Sequence, residues 1–118
     1  MSVIKATTLS NLAGSKTVPT DTVVDGSAKA WVNFNGTGTV AIRRAFNVSS
    51  ITDNGTGDYT VNFTNAMVDA NYAPVSSNDN PDNWSTITTV ATSSVRMACK
   101  DSGGTLQDAI VYSVAIFS

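Results

Sequence analysis

Apolar residues in this chain come in short runs that alternate with polar ones, and glycine-containing turns separate the runs. Between Asp58 and Thr64, Tyr59, Val61 and Phe63 alternate with Thr60 and Asn62, the period of a strand with one buried face. Trp31, Val32 and Phe34 open an earlier apolar strand, which runs into the turn Asn35-Gly36-Thr37-Gly38 and resumes from Thr39 through Val48. The same four-residue turn recurs as Asn54-Gly55-Thr56-Gly57. Asn-Gly between apolar runs is a strong hairpin signal, because both residues tolerate positive φ. The shared Asn-Gly-Thr-Gly element therefore marks two expected hairpins that pivot on glycine.

The stretch from Asn65 to Val75 reads as a bend or single helical turn, then a strand that Pro74 confines to an edge or end. Ser76 to Asn83 is the most polar stretch and is expected to be an exposed loop. Strands follow at about 84–92, where Trp84, Thr86, Thr88 and Val90 oppose Ile87, and at about 94–100. Asp101 to Thr105 is a further turn. The run from Ala109 to Phe117 is apolar on both faces, as in a central strand or one covered by another subunit. Seven or eight short strands with frequent turns predict an all-β fold, an antiparallel, jelly-roll-like β-sandwich. Residues 1–28 hold only scattered apolar pairs and read as an extended N-terminal arm, leaving 29–118 for the sandwich.

Composition strengthens the β reading. The chain of 118 residues has 16 Thr, 14 Ser and 11 Asn, and its nine acidic residues are all Asp. Thr suits strands, and Asp and Asn suit turns, whereas the missing Glu and scarce Lys would have supplied helix surfaces. The net charge of −2 offers no basic footprint for nucleic acid. Arg43-Arg44 is the only adjacent basic pair, read as one inward or interfacial and one solvated side chain. Neither a signal-peptide run nor a membrane span is visible, so a soluble product made in the cytoplasm is expected, with no membrane partner.

The chain has no His and a single Cys, Cys99. Ser-His and Cys-His nucleophiles and structural zinc are thereby excluded, and Cys99 reads as a buried structural thiol. The carboxylate pairs Asp53/Asp58 and Asp79/Asp82 flank Asn, Gly or Pro, where Asp is the ordinary turn residue. No enzyme activity is expected. Asn78-Asp79-Asn80-Pro81-Asp82 offers hard oxygen ligands but lacks EF-hand spacing, so neither metal nor cofactor is expected. The candidate surface or ligand contacts are Trp84 and Tyr72 as stacking platforms, with Asn78, Asp79 and Asp82 as hydrogen-bonding partners.

The runs Ala28-Lys29-Ala30-Trp31-Val32-Asn33-Phe34-Asn35-Gly36-Thr37-Gly38 and Ile51-Thr52-Asp53-Asn54-Gly55-Thr56-Gly57-Asp58-Tyr59-Thr60-Val61-Asn62-Phe63 resemble a module of bacteriophage tail-fibre and other virion proteins. The resemblance extends from about residue 20 to about 75 and more weakly to the C-terminus. It implies a virion structural protein forming homotrimers, a fibre or knob that meets a host surface glycan or protein. The N-terminal arm is expected either to be free or to pack on another subunit, and in the fibre reading it contacts other virion proteins. In that family the module often closes a longer fibre chain, whereas here it follows a short arm. A capsid decoration (cement) protein bridging shell subunits is the alternative expectation.

Overall fold

The computed structural model describes residues 2–118. β1 (Thr8–Ser10) and β2 (Thr17–Pro19) pair as a small hairpin, and α1 (Thr20–Gly26) follows. The remaining strands are β3 (Ala28–Asn35), β4 (Ala41–Phe46), β5 (Val48–Gly55), β6 (Asp58–Phe63), β7 (Ala73–Asn78), β8 (Asn83–Ala91), β9 (Ser94–Asp101) and β10 (Tyr112–Phe117). They form two four-stranded sheets, ordered β4-β3-β10-β7 and β5-β6-β9-β8, with every neighbouring pair antiparallel. The expected antiparallel sandwich is the fold.

Four central strands carry the core. Ala30, Val32 and Phe34 from β3 and Tyr112, Val114 and Ile116 from β10 face Tyr59, Val61 and Phe63 from β6 and Val95, Met97 and Cys99 from β9. Strict alternation along each strand places them there, since successive side chains leave opposite faces. Phe34, Tyr59 and Tyr112 meet with ring centroids 5.2, 5.4 and 5.7 Å apart. Pro74 lies in β7, an edge strand, where its missing N–H breaks no ladder.

The same alternation sends Trp31 to the outer face. Val32 and Phe34 point inward, so Trp31 points outward and is 39% exposed. Arg43 and Arg44 are both exposed on edge strand β4, and the ladder slips beside them between Asn33 and Phe34. Neither Arg is therefore inward. Charge and irregularity on an edge strand discourage pairing with other chains. A second slip, between Ile87 and Thr89, lets both Ile87 and Val90 face inward despite their odd spacing.

Both expected hairpins form, but neither pivots on Asn-Gly. β5 runs through Gly55, and its connection to β6 is Thr56-Gly57, with Gly57 at φ +63°. In the β3–β4 loop the left-handed residue is Gly38, while the Asn35 side-chain oxygen accepts the N–H and O–H of Thr37. The only non-glycine residue with positive φ among the described residues is Asn47, at the crossover from β4 to β5. Its amide donates to the carbonyls of Lys29 and Asn65 and accepts the Asn65 N–H, which fastens the corner.

The strand registers give the sandwich two distinct ends. Loops 36–40, 56–57, 79–82 and 102–111 share one end. The N-terminal segment, residues 64–72, Thr92-Ser93 and Ser118 lie at the other. The segment expected to be extended has structure of its own in β1, β2 and α1, yet none of its described residues is buried. It projects from the sandwich: the radius of gyration is 17.1 Å, against about 13.5 Å for a compact domain of this length. The Lys29 ammonium binds the carbonyls of Val24 and Ser27, tying the end of α1 to β3. No helix among the described residues is long and apolar enough to cross a membrane.

Candidate functional site

The loop end is assembled on one hydrogen-bond network, buried at Tyr59 and Gly36 and open to solvent at Asp108. The Asp108 carboxylate accepts the Gly57 N–H at 2.8 Å and the Tyr59 hydroxyl at 2.7 Å. That hydroxyl also reaches the Gly36 carbonyl at 2.8 Å, and the Gly36 N–H donates to the Ala109 carbonyl at 2.8 Å. The Cys99 N–H donates to Gly57, and the Gln107 N–H donates to Cys99. Loop 102–111 is thus laced to both hairpins. Burial pushes the Tyr59 hydroxyl far above its ordinary pKa, with Asp108 acting in the same direction, so it remains a proton donor. Tyr59→Phe should cost about 1–3 kcal/mol, because a buried carbonyl and a carboxylate lose their donor. Urea titration checks this, and an unchanged midpoint would show that the network carries no stability.

Most of the other acids at this end hold backbone in place. Asp101 accepts the N–H groups of Gly103 and Thr105 at 2.9 Å each, and these donors, with Thr105 foremost, lower its pKa. Asp53 accepts the Gly55 N–H at 3.0 Å. Asp58 forms a two-point pair with Arg96 at 2.8 and 2.7 Å, and Arg96 holds its carboxyl below the usual range. The pair is solvated, so its contribution to stability is small. Among the described residues no group of three His, Cys, Asp or Glu is placed to hold a metal ion. The Cys99 thiol is buried, and burial raises its pKa.

Four of the five candidate contact residues gather at the loop end. Asn78 donates to Ser85 Oγ at 3.1 Å, bridging the two sheets, and accepts the Asn80 N–H. Asp79 accepts the Val111 N–H at 3.1 Å, which fastens loop 79–82 to the start of β10. Asp82 is exposed, beside the bend at Asn80. Trp84 is 47% exposed, its indole N–H donates to the Asp101 carbonyl at 2.9 Å, and the Lys100 ammonium lies 5.7 Å from its ring centroid. Lys100 therefore occupies one face of the ring, leaving Trp84 a limited platform.

Tyr72 is not a surface contact. It is buried at the opposite end, edge-on to Phe63, with its hydroxyl donating to the Ala91 and Ser94 carbonyls. A ring with one hydroxyl is well accommodated in a core when a carbonyl accepts its proton. Sequence reasoning also missed Asp108, whose partners lie 49 and 51 residues away. Exposed Leu106 and Ile110 add apolar surface to the same loop.

The two outer faces of the sandwich differ sharply. On β5 and β6, the Asn62 amide bridges Ser50 and Thr52 and the Asn54 amide reaches Thr60, a self-satisfied polar lattice. On the other sheet, Phe46, Trp31, Ala115 and Val75 lie side by side in one row across four strands. Comparison of the chain with protein-family models, with curated proteins and with solved structures finds no match.

Proposed function

We propose that this chain is a bacteriophage virion structural protein: a fibre or knob module, trimeric in the particle, that meets the host surface with its loop end and is anchored through its N-terminal segment. The observation that carries this reading is the molecule's polarity. The projecting segment leaves one end of the sandwich, and four loops, of which 79–82 carries Asp79, Asn80 and Asp82, occupy the other together with Trp84. The short-range resemblance of the two Gly-turn segments to fibre modules agrees with it. Most acids at the loop end are tied to backbone or to Arg96, which favours a binding role over a catalytic one. The partner would be a surface glycan or protein.

A capsid decoration role is the second reading, and the projecting segment favours it. Ile4, Leu9, Leu12, Val23 and Val24 are all exposed, and Ile4, Leu9, Val23 and Val24 line one apolar cleft. A shell subunit would cover such a surface. Gold-labelled antibody against the full chain, applied to intact particles, tests both readings. Label at fibre tips is expected. Label spread over the head would move the assignment to decoration, and unlabelled particles would defeat both.

A further inference from the structure

The outer face of β4-β3-β10-β7 has the shape and chemistry of a contact surface. Its main row reads Phe46, Trp31, Ala115, Val75 across the sheet, and the next row reads Arg44, Asn33, Ser113, Ser77. The large side chains stand on β4 and β3, and the small ones on β10 and β7. The result is a ridge beside a trough. A groove along β10 is lined by Trp31 and Asn33 on one side, Val75 and Ser77 on the other, with Ser113 and Ala115 as its floor. Phe46 is 54% exposed, Val75 57% and Phe117, at the foot of the groove, 36%. A contiguous apolar row of this kind is a common mark of an interaction surface.

We propose that this face is a contact between two copies of the chain, packed sheet on sheet about a two-fold axis parallel to the strands and running between β3 and β10. That operation lays β4 and β3 of one copy over β7 and β10 of the other. The ridge then enters the trough: Trp31 lies over the second copy's Ala115, and Phe46 over its Val75. The self-complementary shape is the argument for a second copy as the occupant. Charge opposes it only weakly: these four strands contain no acidic residue, so Arg44 of one copy meets no carboxylate on the other, but the like charges lie far apart. The two Arg44 side chains fall at opposite edges, separated across the sheet by three strand spacings of about 4.8 Å.

A glycan suits the groove less well. Asn33 already donates to Ser113 Oγ at 2.9 Å, so the polar groups of the floor bond each other. The flat extent is about 19 by 20 Å, from four strands of about six residues. That area lies below the roughly 800 Å² per partner of a standard interface, so the contact is a weak one that dilution reverses. The inference stands apart from the viral reading. A three-fold axis does not bring two like faces together, so a trimer would use another surface.

Sedimentation equilibrium of the full chain, from low-micromolar to submillimolar concentration, tests the proposal. The mass should rise from 12.3 kDa toward twice that value. Trp31→Thr keeps a strand-favouring residue at an outward position and should weaken association at least about tenfold. Val75→Lys, on a different strand, should do the same, and Thr52→Lys on the polar face should change nothing. Circular dichroism checks that each variant remains folded. A monomer at every concentration, or association indifferent to both Trp31→Thr and Val75→Lys, overturns the proposal. So does a three-copy mass that survives these variants, although it would support the trimer. Saturable binding of soluble polysaccharide through Trp31 by a chain that stays monomeric would reassign the face to a glycan. Failure of particle labelling leaves all these measurements untouched.

Discussion

Gly57→Ala is expected to remove a large share of the stability of this fold, about 4 kcal/mol or more out of a typical 5–15. Two causes add. Gly57 sits at φ +63°, where an L side chain costs about 1–2 kcal/mol. A Cβ there would also fall 2.6 Å from the Gln107 carbonyl oxygen, 2.7 Å from that of Cys99 and 2.7 Å from the Gln107 nitrogen. All three atoms are backbone, so no side chain can swing away. Relief would require loop 102–111 to lift, which breaks the bond from Gln107 to Cys99, and the Gly57 turn to move off β9, which breaks the bond from Cys99 to Gly57. Gly38→Ala is the matched control: it has φ +57° with open space around it, and should lose only about 1–2 kcal/mol. Denaturant unfolding of the two variants separates strain from collision. Equal losses would mean that the close approach around Gly57 carries no weight.

Phe34→Ala should lose about 3–5 kcal/mol by the same measurement. The ring is fully buried, packed edge-on to Tyr59 at 5.2 Å and stacked on Tyr112 at 5.4 Å. Its removal leaves a void between the two sheets and forfeits two aromatic contacts worth about 0.5–1.5 kcal/mol each beyond area burial. Because Tyr59 anchors Gly36 and Asp108, the damage should spread to the loop end. Phe34→Leu keeps most of the volume and should lose less than about 1.5 kcal/mol. A Phe34→Ala midpoint close to that of Phe34→Leu would show that the sheets close over the void and that the aromatic trio is dispensable.

Strand existence and inward faces were readable where one face is apolar and the other is not. Tyr59, Val61 and Phe63 alternate with hydroxyl and amide side chains, and β6 buries those three. Trp31 lies in an apolar run, yet its parity opposite to Ala30, Val32 and Phe34 sends it outward. The Asn-Gly dipeptides marked the hairpins correctly but not their pivots. Gly36 is required because a Cβ there would collide with Tyr59 Oη and the Ala109 carbonyl oxygen, a reason that exists only once the strands are folded together. Tyr72 and Trp84 are alike as letters beside polar stretches; one is buried at the arm end, and the other is half-exposed at the loop end.

From the linear order of residues alone came the β class, the turns and the inward alternation, because these depend on local propensity and a period of two. The pairing of β10 between β3 and β7, the lacing of Asp108 to residues some 50 positions earlier, and the ridge and trough on one outer face were decided by tertiary structure. Each depends on which strands become neighbours, and strand neighbours are chosen by burial of the whole core.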